Sequence, residues 1–318
     1  MLTVARLRRK PRHFRTFTGL RVEEFDALLK ELEPVYTAVD RARKSRPDRQ
    51  RAIGAGRPYE LPLAERLLMV LMYLRLYTTE LLVGYFFGLD ASSVNRERNL
   101  RMVPALSGVL PLPAREEMGI VGSKADRGPI GKRIRTLGEL LQHFPELEEV
   151  LVDATEQPVP EPKEKRARRE RYSGKKKQHT LKTQTTVTPD GAVLHATLHV
   201  PGGLHDQQLL RCSGVLHRLR AGMKARLDRG YEGVETINPA VCIEKPVKGY
   251  RNHRVTALGR AYNRMQSQLR IGVEHTFARL KRFRVLGGTY RGRVAHYDAL
   301  FGVVCGLNNF RILGRLDW

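Results

Sequence analysis

The order of strand-like and helix-like segments in the second half of the chain limits the fold most. The apolar run EEVLVDATEQPV begins as a strand and turns polar at Asp153. Two alternating runs, HTLKTQTTVTP and AVLHATLHV, flank Asp190-Gly191, a pair typical of a hairpin turn. The helical stretch LHDQQLLRCSGVLHRL then leads to the strands MKARLDRGYEG and AVCIEKPV and to a last long helix. This order, βββαβαβα, predicts an α/β fold with a mixed sheet and helices on its faces.

The last long helix, SQLRIGVEHTFARLKRF, has an apolar stripe with a charged stripe beside it when residues are placed about 100° apart. The apolar stripe consists of Leu269, Val273, Phe277 and Leu280, and the charged stripe consists of Arg270, Glu274 and Lys281. Such a charged stripe has two interpretations. Either Arg270 and Glu274 form an ordinary surface ion pair, or the carboxylate binds a metal while the two cations hold DNA phosphates beside it.

Three acids separated in sequence are candidates for one metal site. Asp153 and Asp228 each end a predicted strand, and Glu274 projects from the helix expected to cross the sheet. Each aspartate alone could simply cap a helix or make a turn. Together, carboxylates at the ends of adjacent central strands can share two divalent ions about 4 Å apart, which is the arrangement that catalyses phosphodiester displacement. Asp206 is a fourth acid that either supports or replaces a ligand, or caps the helix that it begins.

The first half of the chain is predicted to be helical, with a helix from Val22 to about Tyr36 and three more between residues 63 and 102. Residues 41–62 and 104–134 are predicted to be linkers, and residues 134–147 a further helix. Gly88 and Asp90 suit the end of one short helix and the start of the next, which is the layout of a helix-turn-helix. We expect Val94 to face Leu82 and Phe86. The opposite, DNA-reading face would present Ser92, Asn95, Arg96 and Asn99.

The charge of the chain favours a polyanionic partner. Its formal net charge is +24, and the segment 163–177 alone holds nine Lys or Arg residues. That segment is either a solvated charge run or a loop that follows DNA phosphates, with Lys175, Lys176 and Lys177 at its end. The basic N-terminus fits either an organelle transit peptide or an arm that binds DNA. No apolar run is free enough of charge to span a membrane, and three scattered cysteines favour an intracellular protein.

Several motifs, taken in order, carry a family resemblance. LVDATEQPVP, YSGKKKQHTLKTQ, PGGLHD, LDRGYEG and the spacing of Arg270, Glu274 and Lys281 resemble bacterial insertion-sequence transposases of the DDE superfamily, of the type related to Harbinger endonucleases. The resemblance covers roughly residues 147–312, and TTELLVGYFFGLDASSVNRERNL is similar to the helix-turn-helix of that family. One departure is Ser267, where the related signature has a tyrosine.

The resemblance implies a ribonuclease H-like catalytic domain over residues 146–318, preceded by an all-α DNA-binding domain over residues 1–145. It implies a catalytic and metal-binding triad of Asp153, Asp228 and Glu274. The implied ligands are Mg²⁺ or Mn²⁺, as two ions. The implied function is cutting at the terminal inverted repeats of a transposon and joining to target DNA, in the bacterial cytoplasm at the nucleoid, by at least a dimer on double-stranded DNA. Two alternatives remain at this point: a non-enzymatic DNA-binding regulator derived from a transposase, and a ribonuclease H-like DNA nuclease.

Overall fold

A computed structural model describes residues 1–45, 50, 52, 59–115, 137, 141–142, 145–249 and 254–313 of the chain. The N-terminal part is helical. Its helices are α1 (Val4–Arg8), α2 (Pro11–Thr18), α3 (Val22–Lys44), α4 (Leu63–Leu76), α5 (Glu80–Phe87), α6 (Ala91–Glu97) and α7 (Val103–Val109), with a π-helical turn at Arg98–Met102 between α6 and α7.

Short capping signals fix the helix-turn-helix formed by α4, α5 and α6. Thr79 caps the start of α5 by accepting a hydrogen bond from the backbone N–H of Leu82 at 3.3 Å. Gly88 ends α5 with a φ of +70°, a conformation that glycine adopts without strain. Asp90 then caps α6, because its Oδ1 accepts from the backbone N–H of Ser93 at 2.7 Å. The predicted roles of Gly88 and Asp90 are therefore confirmed.

The C-terminal part is built around a mixed sheet. Its strands are β1 (Glu149–Pro158), β2 (Tyr172–Ser173), β3 (Gln178–Val187), β4 (Val193–Ala196), β5 (Val200–Pro201), β6 (Lys224–Arg226) and β7 (Cys242–Glu244). Its helices are α8 (Lys165–Arg171), α9 (Asp206–Ser213), α10 (Ala257–Lys281), α11 (Arg284–Gly287) and α12 (Tyr297–Leu313), with 3₁₀ turns at Val215–Arg218 and Val294–His296.

The strand order β2-β3-β1-β6-β7 combines an antiparallel and a parallel half. Strand β3 lies antiparallel to β1, while β1, β6 and β7 run parallel to one another. The remaining strands, β4 and β5, pair with β3. This is the mixed sheet flanked by helices that the sequence predicted, and it is consistent with the ribonuclease H-like fold.

Alternation along β1 covers both faces of the sheet. Leu151 is buried in one apolar cluster with residues of α10 and α12, whereas Val150 and Val152 are buried in the other with Leu210 of α9. Successive side chains of a strand point to opposite faces, so a continuous apolar run is what a strand buried on both faces requires.

The first of these clusters also includes the N-terminal helices. Helix α12 packs on α7, and α11 packs on α4. At that contact Arg291 binds both oxygens of Tyr77: its backbone N–H donates to the hydroxyl and its Nη2 to the carbonyl, each at 2.7 Å. The ring of Tyr77 is stacked on Tyr290, whose backbone N–H donates to the carbonyl of Pro158 at the end of β1. The helix-turn-helix and the sheet thus share one core. The division between residues 145 and 146 stays a prediction.

Several sequence-based boundaries were wrong. Helix α3 continues to Lys44, so the predicted linker 41–62 begins as helix, and residues 104–109 belong to α7. The predicted helix 204–219 breaks at Gly214, whose φ is +62°. Residues 165–171 form α8 instead of a loop, and turns, with no helix, connect β6 to β7 in the fully described stretch 227–241.

Other predicted segments lie largely outside the described residues. These include most of the first linker, residues 116–134 of the second and most of the helix 134–147. Leu137 and Leu141 of that helix are described, are helical and are buried in the cluster beneath β1. Within the described parts of the chain, no helix has the length and apolar character needed to cross a bilayer.

Candidate active site and DNA-binding surface

Asp153 and Asp228 lie where two parallel strands stop pairing. The β1–β6 ladder ends at the pair Leu151 and Arg226. Each aspartate is two residues beyond that pair on its own strand, so both carboxylates occupy the same level at the carboxyl ends of the parallel strands. In open α/β sheets, ligands bind at that edge. The sequence predicted this placement, but β1 does not end at Asp153, because β3 continues to pair with it as far as Pro158.

Arg270 of α10 joins the two aspartates. Its Nη2 lies 3.2 Å from Oδ2 of Asp153, and its Nη1 lies 3.1 Å from Oδ1 of Asp228. The side chain of Arg270 is only 9% exposed, whereas those of Asp153 and Asp228 are 22% and 52% exposed. A cation therefore lies between the two carboxylates, and the site opens to solvent on the side of Asp228.

The position of Arg270 follows from how α10 is held on the sheet. Thr256 caps the helix through the backbone N–H of Gly259. One turn before Arg270, the amide of Gln266 accepts from Nη1 of Arg226 at 3.0 Å and donates to Glu244 at 2.9 Å. The buried face of α10 is Gln266, Arg270, Val273, Thr276 and Leu280.

That buried face corrects the predicted stripes. Val273 and Leu280 pack inward as expected, but Leu269 is 41% exposed and Arg270 takes the inward place. Arg270 also pairs with the aspartates of the sheet, so the alternative in which it only pairs with Glu274 on the surface is wrong.

The surroundings of Asp153 disfavour the ionised form of its carboxyl group. Burial raises the pKa of Asp153 to about 6, against the lowering effects of Arg270 and of the hydrogen bond from the backbone N–H of Ala154. The nearby charges of Asp228 and Asp206 raise the pKa further. Buried carboxylates crowded by other acids are a mark of functional sites.

Glu274 is the third predicted ligand, one helical turn beyond Arg270 and exposed on α10. The structure brings Asp153 and Asp228 together but does not add Glu274 to them. Among the described residues, no three His, Cys, Asp or Glu side chains are arranged to hold a metal ion. The rise between residues four apart on a helix is about 6 Å, so Glu274 is displaced by that distance along α10 from Arg270, which contacts the aspartates.

A buried lysine that sequence reasoning missed organises the acids on the other side of β1. Nζ of Lys182 on β3 lies 2.7 Å from Oδ1 of Asp206 and 3.6 Å from Oε1 of Glu156, and it donates to the carbonyl of Leu204. Asp206 is the first residue of α9 and makes no capping hydrogen bond, since the capping position belongs to His205. Asp206 therefore does not cap α9. It forms an ion pair with Lys182, and its negative charge raises the pKa of Asp153.

Basic side chains border the site at the predicted place. Lys175, Lys176 and Lys177 are exposed in the tight turn between β2 and β3, which is closed by hydrogen bonds to Ser173. Lys281, at the end of α10, comes close to this turn. Partial burial and the charge of Lys176 lower the pKa of Lys281, while Asp153 acts in the opposite direction. A cationic border of this kind can hold phosphates next to the aspartates.

The predicted DNA-reading residues of α6 and of the π-helical turn after it differ in exposure and in how many hydrogen bonds they make. Ser92 and Arg96 are exposed, although the hydroxyl of Ser92 donates to the capping Asp90. Asn95 is partly buried and donates to Glu80 of α5 at 2.8 Å, and Asn99 donates to Asn95 at 3.2 Å.

The inward face of α5 differs from the predicted one. Val83 and Phe87 are buried on α5 and belong to the same core cluster as Val94, whereas Leu82 and Phe86 are 44% and 40% exposed. The prediction that Val94 faces Leu82 and Phe86 was therefore wrong, and those two side chains lie on the outer surface of the helix-turn-helix.

Comparison with known proteins agrees with this architecture. The family model described as DDE superfamily endonuclease matches residues 152–309, and the model described as helix-turn-helix of DDE superfamily endonuclease matches residues 59–103. The chain is 28% identical, over 95% of each sequence, to a protein of Microchaete diplosiphon described as "Probable transposase for insertion sequence element IS702". The chain belongs to the DDE transposases of insertion sequences. No solved structure matches it significantly.

DDE transposases depend on a divalent metal, and the residues at this site fit one. Asp153 and Asp228 supply the carboxylate oxygens that hard divalent cations prefer. Their arrangement already accommodates a positive charge, because Arg270 lies between them. The Nη1 atom of Arg270 is buried and has no well-directed hydrogen-bond acceptor, so its contact with Asp228 is an ion pair of poor geometry. The pair of carboxylates thus suits a smaller, doubly charged ion.

The transposase site includes two residues that could have been suspected from sequence. Lys182 interrupts a β3 run rich in threonine, and Glu156 lies three residues after Asp153 on the same strand. Lysine is almost never fully buried without a partner, so a lysine in a predicted central strand signals a nearby acid. Which acid it meets depends on the β1–β3 register, in which Glu156 is opposite Lys182.

Proposed function

We propose that Asp153, Asp228 and Glu274 bind two Mg²⁺ ions, or Mn²⁺ in their place, and that this centre cuts the terminal inverted repeats of the element and joins them to target DNA. The observation that carries the proposal is that Asp153 and Asp228 lie side by side, each two residues beyond the last pair of the β1–β6 ladder. Glu274, one turn beyond Arg270 on α10, would complete the ligand set when the ions and DNA are bound. When bound, such ions lower the pKa of an attacking water or 3′ hydroxyl and stabilise the leaving oxygen.

The protein's own residues position the DNA. The phosphate backbone beside the scissile bond lies along the cationic border formed by Lys175, Lys176, Lys177 and Lys281, with Arg270 at its inner end. Each ion pair with a phosphate displaces counterions, so binding weakens as salt rises. The low exposure of Asp153 excludes water from one side of the reacting phosphate.

The helix-turn-helix recognises the element's ends. Ser92, Asn95 and Arg96 on α6 and Asn99 in the π-helical turn after it face the major groove, with Arg96 and Ser92 the most accessible for contact. Asn95 can contact bases only after its hydrogen bond to Glu80 breaks, and Asn99 only after its hydrogen bond to Asn95 breaks. Because an element has two ends, the protein acts on double-stranded DNA as at least a dimer, in the bacterial cytoplasm at the nucleoid.

Two amide substitutions test the metal assignment. Asp153→Asn and Glu274→Gln remove a negative charge with little change of shape, so each should abolish Mg²⁺-dependent nicking of labelled element ends. Binding of the same DNA in a gel-shift assay should remain within about threefold of the parent, since neither residue belongs to the DNA-reading helix.

Asp190→Asn is the matched control, because Asp190 is exposed in the turn between β3 and β4. It should cut like the parent. Cutting by Asp153→Asn or Glu274→Gln at the parent's rate would refute the assignment.

A further inference from the structure

The position of Arg270 bears directly on where a metal ion can bind in this site. The guanidinium spans the gap between Asp153 and Asp228 with one nitrogen on each carboxylate, at 3.2 Å and 3.1 Å. It therefore occupies the space between the same two carboxylates to which the proposed function assigns the metal.

Three of the four carboxylate oxygens already have a partner in this arrangement. In Asp153, Oδ1 accepts from the backbone N–H of Ala154 at 2.8 Å, and Oδ2 faces Arg270. In Asp228, Oδ1 accepts from the backbone N–H of Arg229 at 2.7 Å and also faces Arg270. A divalent ion needs several oxygen ligands at about 2.0–2.6 Å and is repelled by a cation in the same gap. Arg270 and a metal bridging both aspartates are therefore mutually exclusive.

The two carboxylates nevertheless need a positive charge beside them when no metal is bound. Two neighbouring carboxylates repel each other, and a buried charge without a partner is costly. Arg270 neutralises the pair, and its helix is anchored one turn earlier by Gln266. Its hold on Asp228 is the weaker one, because Nη1 makes no well-directed hydrogen bond there. The contact to Asp228 is also the one nearer to solvent, so it is the natural one to break first.

We propose that Arg270 is an exchangeable counter-ion: it keeps Asp153 and Asp228 paired in the metal-free protein and leaves when a divalent ion binds between them. This inference rests on the proposed function of the two aspartates. The guanidinium that leaves is then available to the nearest polyanion, the DNA backbone along Lys176 and Lys281. Metal loading and DNA binding are therefore coupled through one side chain, each favouring the other.

The test measures metal binding without DNA and without turnover. Mn²⁺ binding to the full chain, freed of metal beforehand, is followed by the electron paramagnetic resonance signal of unbound Mn²⁺. Arg270→Gln removes the competing cation and should bind Mn²⁺ at least about fivefold more tightly, the lower end of usual coupling between two binding events. Its melting temperature without metal should fall, and Mn²⁺ should raise it by more than it raises that of the parent.

Controls separate this inference from the proposed function. Arg264→Gln makes the same substitution at an exposed position of α10 and should bind Mn²⁺ like the parent. Asp153→Asn should bind Mn²⁺ more weakly. If Arg270→Gln does not fold, Arg270→Lys serves instead, since a single ammonium cannot hold both carboxylates as a guanidinium does.

Unchanged or weaker Mn²⁺ binding by a folded Arg270 variant, with a parent that binds, overturns the inference alone. Absence of Mn²⁺ binding in the parent and every variant overturns the metal assignment itself.

Discussion

The ionised carboxylate of Asp153 should destabilise the folded transposase, so replacing it with a neutral side chain should make the metal-free protein more stable. Its pKa is raised from 3.8 to about 6, and its side chain is only 22% exposed. Between those two values Asp153 binds more proton in the folded protein than in the unfolded chain, so its own contribution to stability falls as pH rises through this window. Above about pH 6 the whole cost is present, roughly 3 kcal/mol at about 1.4 kcal/mol per pKa unit. Asp153→Asn removes the charge while its amide oxygen still accepts from Arg270.

We therefore expect Asp153→Asn to be more stable than the parent by up to roughly 3 kcal/mol at pH 7.5 with a chelator present. The advantage should shrink towards zero near pH 4, where the parent's carboxyl group is protonated. Urea denaturation followed by circular dichroism between pH 4 and 8 measures both. Added Mg²⁺ should stabilise the parent and not the variant. A variant that is equally or less stable at pH 7.5, or an advantage that does not change with pH, would refute the reasoning.

Three further predictions follow from other sites. Lys182→Met removes the cation that pairs with Glu156 and Asp206, so it should lower the free energy of unfolding, measured by urea denaturation, by about 3–5 kcal/mol. The double variant that adds Glu156→Gln should recover part of this loss. A loss below about 1 kcal/mol would contradict the buried ion pairs. Burial and Arg115 lower the pKa of His195 from 6.5 to about 4, so the contribution of His195 to stability falls as pH drops across that range, opposite in sign to that of Asp153. His195→Gln should remove this contribution, and a pH dependence identical to the parent's would show that another group titrates. Arg96→Ala should weaken binding to element ends and reduce the slope of log affinity against log salt by about one, and an unchanged slope would remove Arg96 from the interface.

Local signals were enough to predict much of this structure. The turn at Asp190-Gly191 could be recognised because glycine there adopts a φ of +91°, and the ends of α5 and α6 because Gly88 and Asp90 satisfy helix-end groups. The neighbouring positions of Asp153 and Asp228 could be predicted because each follows the apolar part of its strand, where the parallel pairing of β1 and β6 ends. Each of these features depends on residues close together in the chain.

Features that depend on distant partners could not be predicted in the same way. A helical wheel ranks Leu269 above Arg270 for the inward face. Asp153 of β1 and Asp228, two residues after β6, lie beneath α10 and draw the arginine inward. The full length of β1 depends on its register with β3, which no local pattern reveals. The burial of Lys182 has the same origin, since its partners come from β1 and α9.

The contact through Tyr77, Tyr290 and Arg291 has a consequence for how the enzyme measures DNA. The end of α4 is hydrogen-bonded to the segment that follows α11, and that segment to the end of β1. The helix-turn-helix and the sheet edge with Asp153 and Asp228 therefore cannot move apart without breaking a packed core. On the proposed function, the fold therefore fixes the distance between the DNA sequence that α6 recognises and the phosphate that the aspartates attack. The number of base pairs between the recognised sequence and the nick is set by the dimensions of the fold, so inserting a few base pairs between them should abolish cutting rather than relocate it.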